Sequence, residues 1–149
     1  MGRTETVELT TLCLLFRGRE VLLQNRVKAD WQGYAPPGGH VEPGESIVGS
    51  VLREMREETG LNVLNPKLCG VKQFPIDGGR YLVFLFKSDE FSGELISSGE
   101  GKMEWIPLDR LEEYNIVSDL KELLEVMLRD DLTEFQYVID NDEWIVKLY

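Results

Sequence analysis

Gly39-His-Val-Glu-Pro-Gly-Glu45-Ser-Ile-Val-Gly-Ser-Val-Leu-Arg53-Glu54-Met-Arg-Glu57-Glu58-Thr-Gly60-Leu61 is the stretch on which the reading of the chain turns. It is a glycine-rich loop feeding a helix that carries clustered carboxylates. Ser46 is placed as an N-cap, Ile47 to Met55 supply helix formers at apolar spacing, and Gly60 is placed for a left-handed stop. The spacing therefore predicts a helix from Ser46 to Thr59.

On a wheel of about 100° per residue, Ile47, Val51 and Met55 fall within about 80° and form the core stripe. Glu54, Glu57 and Glu58 fill a neighbouring arc of roughly 100°, with Glu58 inside the apolar side. A solvated acidic face would instead lie opposite the stripe, where Arg56 is. Carboxylates held at a core edge repel one another and lose hydration unless a cation compensates them, and hard divalent ions such as Mg²⁺ take oxygen ligands. Arg53, one turn before Glu57, can pair with that carboxylate and fix its rotamer. The cluster reads as a metal site.

Residues 39–61 resemble the signature of the Nudix hydrolases, G-x5-E-x7-R-E-U-x-E-E-x-G-U with U aliphatic, at every fixed position: Gly39, Glu45, Arg53, Glu54, Met55, Glu57, Glu58, Gly60 and Leu61. With each invariant residue at roughly 5–7% usage, a chance match at a given start is on the order of one in a hundred million. The resemblance implies an α+β fold, an α/β/α sandwich around a mixed β-sheet. It implies catalysis of nucleotide hydrolysis with Mg²⁺, or Mn²⁺, held by Glu54, Glu57 and Glu58 and by the carbonyl of Gly38. Glu45 would support the loop–helix geometry through Arg53, with Gly39 and Gly60 as structural glycines. The family's additional acid comes from a loop outside the motif; Glu100 is the first candidate for that general base or extra ligand, and Glu104 the second.

Length and composition agree with one enzyme domain over residues 1–149. The chain is 42% hydrophobic and 29% charged, ordinary for a globular protein with one sizeable core. No long apolar run suggests a signal peptide or a membrane span. Cys13 and Cys69 fall in apolar strand-like segments outside any C-x-x-C arrangement, as expected of buried thiols in a reducing compartment, so the cytoplasm is the expected location. The formal charge of −11 argues against nucleic-acid duplexes and anionic membranes as partners, since both bind through Lys and Arg. A polyphosphate could still bind through bridging metal ions.

From the N-terminus, Val7 to Phe16 and Val21 to Arg26 read as a hairpin around Arg17-Gly-Arg-Glu20. Arg26 is either a rim arginine or, by the resemblance, a residue near the substrate phosphates. Trp31 and Tyr34 precede Pro36-Pro37-Gly38-Gly39, which fixes an irregular backbone. After the helix, Leu61 to Leu64, Lys67 to Phe74, Arg80 to Lys87 and Lys102 to Ile106 read as strands. Pro75 to Gly79 and Glu90 to Gly93 read as turns, and Pro107 to Tyr114 begins like a helix. A second helix is expected over Ser118 to Leu128, with Leu120, Leu123, Leu124, Met127 and Leu128 on its core side. The tail, Phe135 to Tyr149, reads as a closing hairpin or an interface strand through which a homodimer could form.

Within the family, the runs Tyr34 to Glu42, Asp77 to Tyr81 and Glu100 to Trp105 are most similar to bacterial MutT-type 8-oxo-dGTP diphosphatases. These enzymes release nucleoside monophosphate and pyrophosphate in nucleotide-pool sanitation, a branch of DNA repair. The resemblance offers Trp31, Phe74 and Asn115 for recognition of the base. Two alternatives stand beside this reading. Pro75, 14 residues past the motif, lies close to where an ADP-ribose subgroup carries a proline. A non-catalytic nucleotide-sensing module is the other, though such modules often lose motif glutamates. His40, the one histidine, follows the motif glycine at a position that the family does not fix.

Overall fold

The structure is a computed structural model that describes residues 2–96 and 101–149 of the chain. Its first long strand, β1 (Thr6–Arg17), alternates between two cores, and this alternation organises the rest. Leu12 and Leu14 point to one face, with Val83, Leu85, Leu120, Leu123, Met127 and Phe135. Cys13 and Leu15 point to the other, with Leu22, Val51, Met55, Leu61 and Phe86. One helix closes each face, giving the sandwich expected from the resemblance.

The remaining strands are β2 (Glu20–Arg26), β3 (Gly33–Ala35), β4 (Gly38–His40), β5 (Leu61–Leu64), β6 (Lys67–Ile76), β7 (Gly79–Ser88), β8 (Glu90–Gly93), β9 (Gly101–Pro107), β10 (Glu134–Asp140) and β11 (Glu143–Leu148). The helices are α1 (Ile47–Thr59) and α2 (Leu120–Leu128). Among the described residues the main sheet runs β11-β10-β6-β7-β1-β2-β3, with β4 added to β1 and β9 to β2, while β5 and β8 form a separate ribbon. The β1–β7 and β6–β10 pairs are parallel and the other named pairs antiparallel, so the sheet is mixed.

Helix α1 forms as its sequence directs. Ser46 Oγ accepts the Gly49 N–H at 2.8 Å. Val51 and Met55 are fully buried. Gly60 ends the helix in the left-handed region at φ 79°, its N–H bonded to the Arg56 carbonyl at 2.9 Å. Strand β5 starts on the next residue.

Several expectations change. Glu90 to Gly93 is a strand, because its backbone groups pair with Leu61 to Leu64. Pro75 lies within β6 opposite Arg80, so the turn shrinks to Asp77 and Gly78. The segment after Pro107 is a 3₁₀ stretch, Leu108–Glu113, broken by non-helical Arg110. On α2, Leu128 is 40% exposed, since it lies at the end of the helix, while Val126 is buried in its place. The tail is a hairpin, β10 to β11, that extends the main sheet through β6. Both cysteines are free thiols, and burial pushes the Cys13 thiol up to about 12. Among the described residues no helix is long and apolar enough to cross a membrane.

A Cβ at Gly60 would meet the Glu94 carbonyl oxygen at 2.6 Å in a conformation that L residues rarely adopt. Gly60→Ala should therefore lose at least about 1 kcal/mol of stability, visible as a lower urea midpoint at unchanged slope. An unchanged midpoint would show that the α1–β5 junction relaxes freely.

Candidate active site

Arg53, in the middle of α1, reaches back to the loop that precedes it. Its Nε and Nη2 donate to the two carboxylate oxygens of Glu45 at 2.7 and 3.0 Å, and Nη2 also donates to the His40 carbonyl at 3.0 Å. Nη1 donates to Glu54 at 2.9 Å and to Glu57 at 3.1 Å. Glu45 in turn accepts the Glu42 N–H at 3.0 Å, closing the loop. Hydrogen bonds from Arg53 and that backbone donor hold the Glu45 carboxyl down at about 2.

The three glutamates of the helix differ in setting. Glu54 is largely buried, and a Cβ at Gly39 would run into its carboxylate, so the glycine makes room for it. Burial raises the Glu54 carboxyl above its ordinary value against the pull of Arg53, with Glu57 and Glu58 adding repulsion. Glu57 is 57% exposed. Glu58, at the core edge as the wheel requires, accepts from Gln24 Nε2 of β2 at 3.3 Å.

Gly38, Gly39, Glu54, Glu57 and Glu58 line one end of a cavity of about 950 Å³. The donor set there is all oxygen, which suits a hard divalent cation. Thr11, fully buried and lining the same cavity, carries a hydroxyl oxygen without a hydrogen-bond partner among the described residues. By donor chemistry and this orphaned hydroxyl, the residues fit such an ion. In the present conformation Arg53 engages Glu54 and Glu57, and no three acidic, histidine or cysteine side chains among the described residues converge on one point.

The far end of the cavity is aromatic. Trp31, Phe74, Tyr81, Tyr137 and Trp144 line it, with Lys72 and Asp119. Phe74 stacks on Tyr81 with centroids 4.6 Å apart and meets Tyr137 and Trp144 edge-on. Asp119 Oδ1 accepts Trp31 Nε1 at 2.9 Å, and Oδ2 accepts Lys72 Nζ at 2.8 Å and the Tyr137 hydroxyl at 2.9 Å. Burial would raise the Asp119 carboxyl, but the Lys72 charge and these donors outweigh it and hold the group below its usual range. Arg26 also lines the cavity, its Nε bonded to the Trp31 carbonyl at 2.8 Å and its guanidinium over the Trp31 ring.

The structure thus brings Gly38, Gly39, Glu54, Glu57, Glu58, Arg26, Trp31 and Phe74 around one cavity, with Glu45 and Arg53 behind it. Asn115 lies elsewhere: it is exposed, and its carbonyl accepts the Tyr34 N–H at 2.9 Å. Four residues later, Asp119 is the group that enters the cavity wall. Glu104 lies in β9 opposite Leu23 and does not line the cavity. Glu100 lies outside the described residues. Sequence reasoning missed Lys72, Asp119, Tyr81, Tyr137 and Trp144; a lysine within a strand-like run, two residues before Phe74, was the one available signal.

The NUDIX domain family matches residues 7–127, and the chain belongs to that family of Nudix hydrolases. Nudix hydrolase YvcI of Bacillus subtilis is 34% identical over 129 residues, spanning 83% of this chain and 80% of that protein. The oxidized purine nucleoside triphosphate hydrolase of Danio rerio is 32% identical over 112 residues, 71% of this chain and 70% of that one. The crystal structure of a MutT protein from Bacillus halodurans superposes with a TM-score of 0.79 at 33% identity, covering 95% of this chain and 97% of that one.

The Glu45–Arg53 pair carries a pH signature. A folded-state value near 2 lies below the ordinary carboxylate value of 4.5, so the pair stabilises the fold above that pH and the contribution is lost as pH falls towards 2. Wild-type protein should therefore lose more stability between pH 6 and pH 3 than Glu45→Gln, measured by urea unfolding. Parallel pH profiles would show that the pair does not contribute.

Proposed function

We propose that the chain catalyses divalent-metal-dependent hydrolysis of a nucleoside triphosphate, 8-oxo-dGTP or a related oxidised purine nucleotide, to the monophosphate and pyrophosphate. The observation that carries this reading is the single cavity with an acidic, arginine-braced helix at one end and a set of ring faces at the other. A phosphate chain and a flat base need those two environments at once.

When bound by Glu54, Glu57 and Glu58, Mg²⁺ or Mn²⁺ supplies charge neutralisation at the bridging oxygens and a more acidic water. The protein's own part is to orient. Arg53 sets the rotamers of Glu54 and Glu57, Gly39 leaves space for Glu54, and the Gly38 carbonyl is proposed as a further ligand. Arg26 is proposed to meet the phosphates, with Trp31 and Phe74 flanking the base. Glu100 is proposed as the general base. Pro75, on which the ADP-ribose alternative rests, does not line this cavity.

Purified protein with Mg²⁺ should be assayed against 8-oxo-dGTP, dGTP, ADP-ribose and diadenosine polyphosphates, with products identified. The expected result is highest kcat/KM for 8-oxo-dGTP with monophosphate and pyrophosphate released; preference for ADP-ribose would replace the substrate, and no turnover of any compound would favour the sensor. Glu57→Gln should lower kcat at least about a hundredfold with the fold intact. Near-wild-type turnover in that variant would sink the assignment of the helix glutamates.

A further inference from the structure

Lys72 is a charged side chain at a place where a ligand cavity would ordinarily be walled by apolar groups. It lies in β6 and is only 5% exposed. Lysine heads normally reach for water; this one is surrounded by rings, with Nζ 4.6 Å from the centroid of Trp31, 5.2 Å from Phe135, 5.7 Å from Tyr137 and 5.9 Å from Phe74. Its carboxylate partner is Asp119, at 2.8 Å. Among the described residues that is the hydrogen bond its ammonium makes, and an ammonium has three donors. Among the described residues its two other N–H groups meet no hydrogen-bond acceptor, on a residue that lines the cavity, although buried donors are generally satisfied.

Asp119 is in the opposite condition. Its oxygens already accept from Trp31, Lys72 and Tyr137. The inner end of the cavity therefore offers a ligand donors and ring faces, with little acceptor capacity.

Resting on the nucleotide reading above, we propose that Lys72 is a specificity-determining residue that selects a keto nucleobase. One of its remaining N–H groups donates to a carbonyl oxygen of the base, whose plane lies against Trp31 and Phe74. A carbonyl oxygen accepts that N–H; an exocyclic amine at that position turns its own hydrogens towards the ammonium and is rejected. The surrounding rings attract the cation. Asp119 compensates its charge and is the positioning residue for Lys72 and Trp31.

Two readouts on the full chain test this. The first is binding of dGMP and dAMP without metal, followed by tryptophan fluorescence; the second is kcat/KM for dGTP and dATP with Mg²⁺. Wild type should favour the guanine compounds about tenfold or more, the range of a hydrogen bond to a charged group. Lys72→Met should bring both ratios to within about threefold of unity, the loss appearing more in KM than in kcat. Since that variant leaves Asp119 buried without its cation, Lys72→Met/Asp119→Asn removes both charges, and the same collapse is expected in whichever variant circular dichroism shows to be folded.

A wild type without base preference, or a folded Lys72→Met that keeps the wild-type ratio, overturns the proposal. Loss of preference in Asp119→Asn alone, with Lys72→Met unaffected, overturns it by passing the role to Asp119. Equal turnover of dGTP and dATP would keep the hydrolase reading and reject the role of Lys72. Monophosphate discrimination that depends on Lys72, in a protein that hydrolyses no nucleotide, would keep Lys72 and reject the hydrolase.

Discussion

The guanidinium of Arg53 is the constraint on which the acidic end depends. From one side chain it bonds Glu45 and the His40 carbonyl in the preceding loop and Glu54 and Glu57 on its own helix. The planar fork suits this: the bidentate grip on Glu45 fixes the plane of the group, and the plane decides where Nη1 meets Glu54 and Glu57. A lysine could satisfy one carboxylate, not a loop and a helix together. Gly39 completes the constraint by letting Glu54 come against the backbone of β4. The loop, the short strand and the helix are therefore one unit, and the carboxylates share its geometry.

The aromatic end depends on sheet register. Lys72 and Phe74 lie opposite Val83 and Tyr81 in the β6–β7 ladder. The parallel β6–β10 pair sets Phe135 opposite Lys72, so Tyr137 follows beside Phe74 on the same face. The tail hairpin is thus part of the cavity wall: Tyr137 and Trp144, meeting edge-on with centroids 5.5 Å apart, both belong to it. A slip of one residue in β10 would turn Tyr137 to the other face and remove a donor from Asp119.

This contrast explains what could be read from the chain. Residues 39–61 declare themselves because their partners are close in sequence; Arg53 reaches Glu45, Glu54 and Glu57 within a single loop–helix unit, and helical periodicity suffices to group them. The core sides of α1 and α2 were legible from their helical periodicity, whereas the continuous apolar run of β1 marked a strand without showing that it feeds two cores. Lys72, Tyr81, Asp119 and Tyr137 come from four elements or junctions: the β6–β7 hairpin supplies Tyr81, but Tyr137 arrives only through a parallel pairing across some sixty residues. Asp119 precedes an amphipathic helix, where an aspartate is ordinarily a cap; here its side chain makes no capping bond and turns to Trp31, Lys72 and Tyr137 instead. Glu90 to Gly93 reads as a turn because its partner strand is remote and three of its four residues are Glu, Ser and Gly.

The charges around the cavity bear on how a polyphosphate could be held at all. Seven carboxylate residues line it, namely Glu8, Asp30, Glu42, Glu54, Glu57, Glu58 and Asp119, against the three cations Arg26, Lys28 and Lys72. Of these cations, Lys72 is matched to Asp119, and Arg26 lies 3.8 Å from Asp30. The excess is the same in sign as the −11 of the whole chain, so long-range attraction offers an anionic substrate no help. Side chains alone would repel a triphosphate from the end where Glu54, Glu57 and Glu58 sit. A divalent cation held by Glu54, Glu57 and Glu58 would offset most of that charge locally, where the carboxylates are concentrated. The acidic surplus, which on composition alone argues against anionic partners, is in this cavity an argument for a phosphate ligand that arrives with its metal.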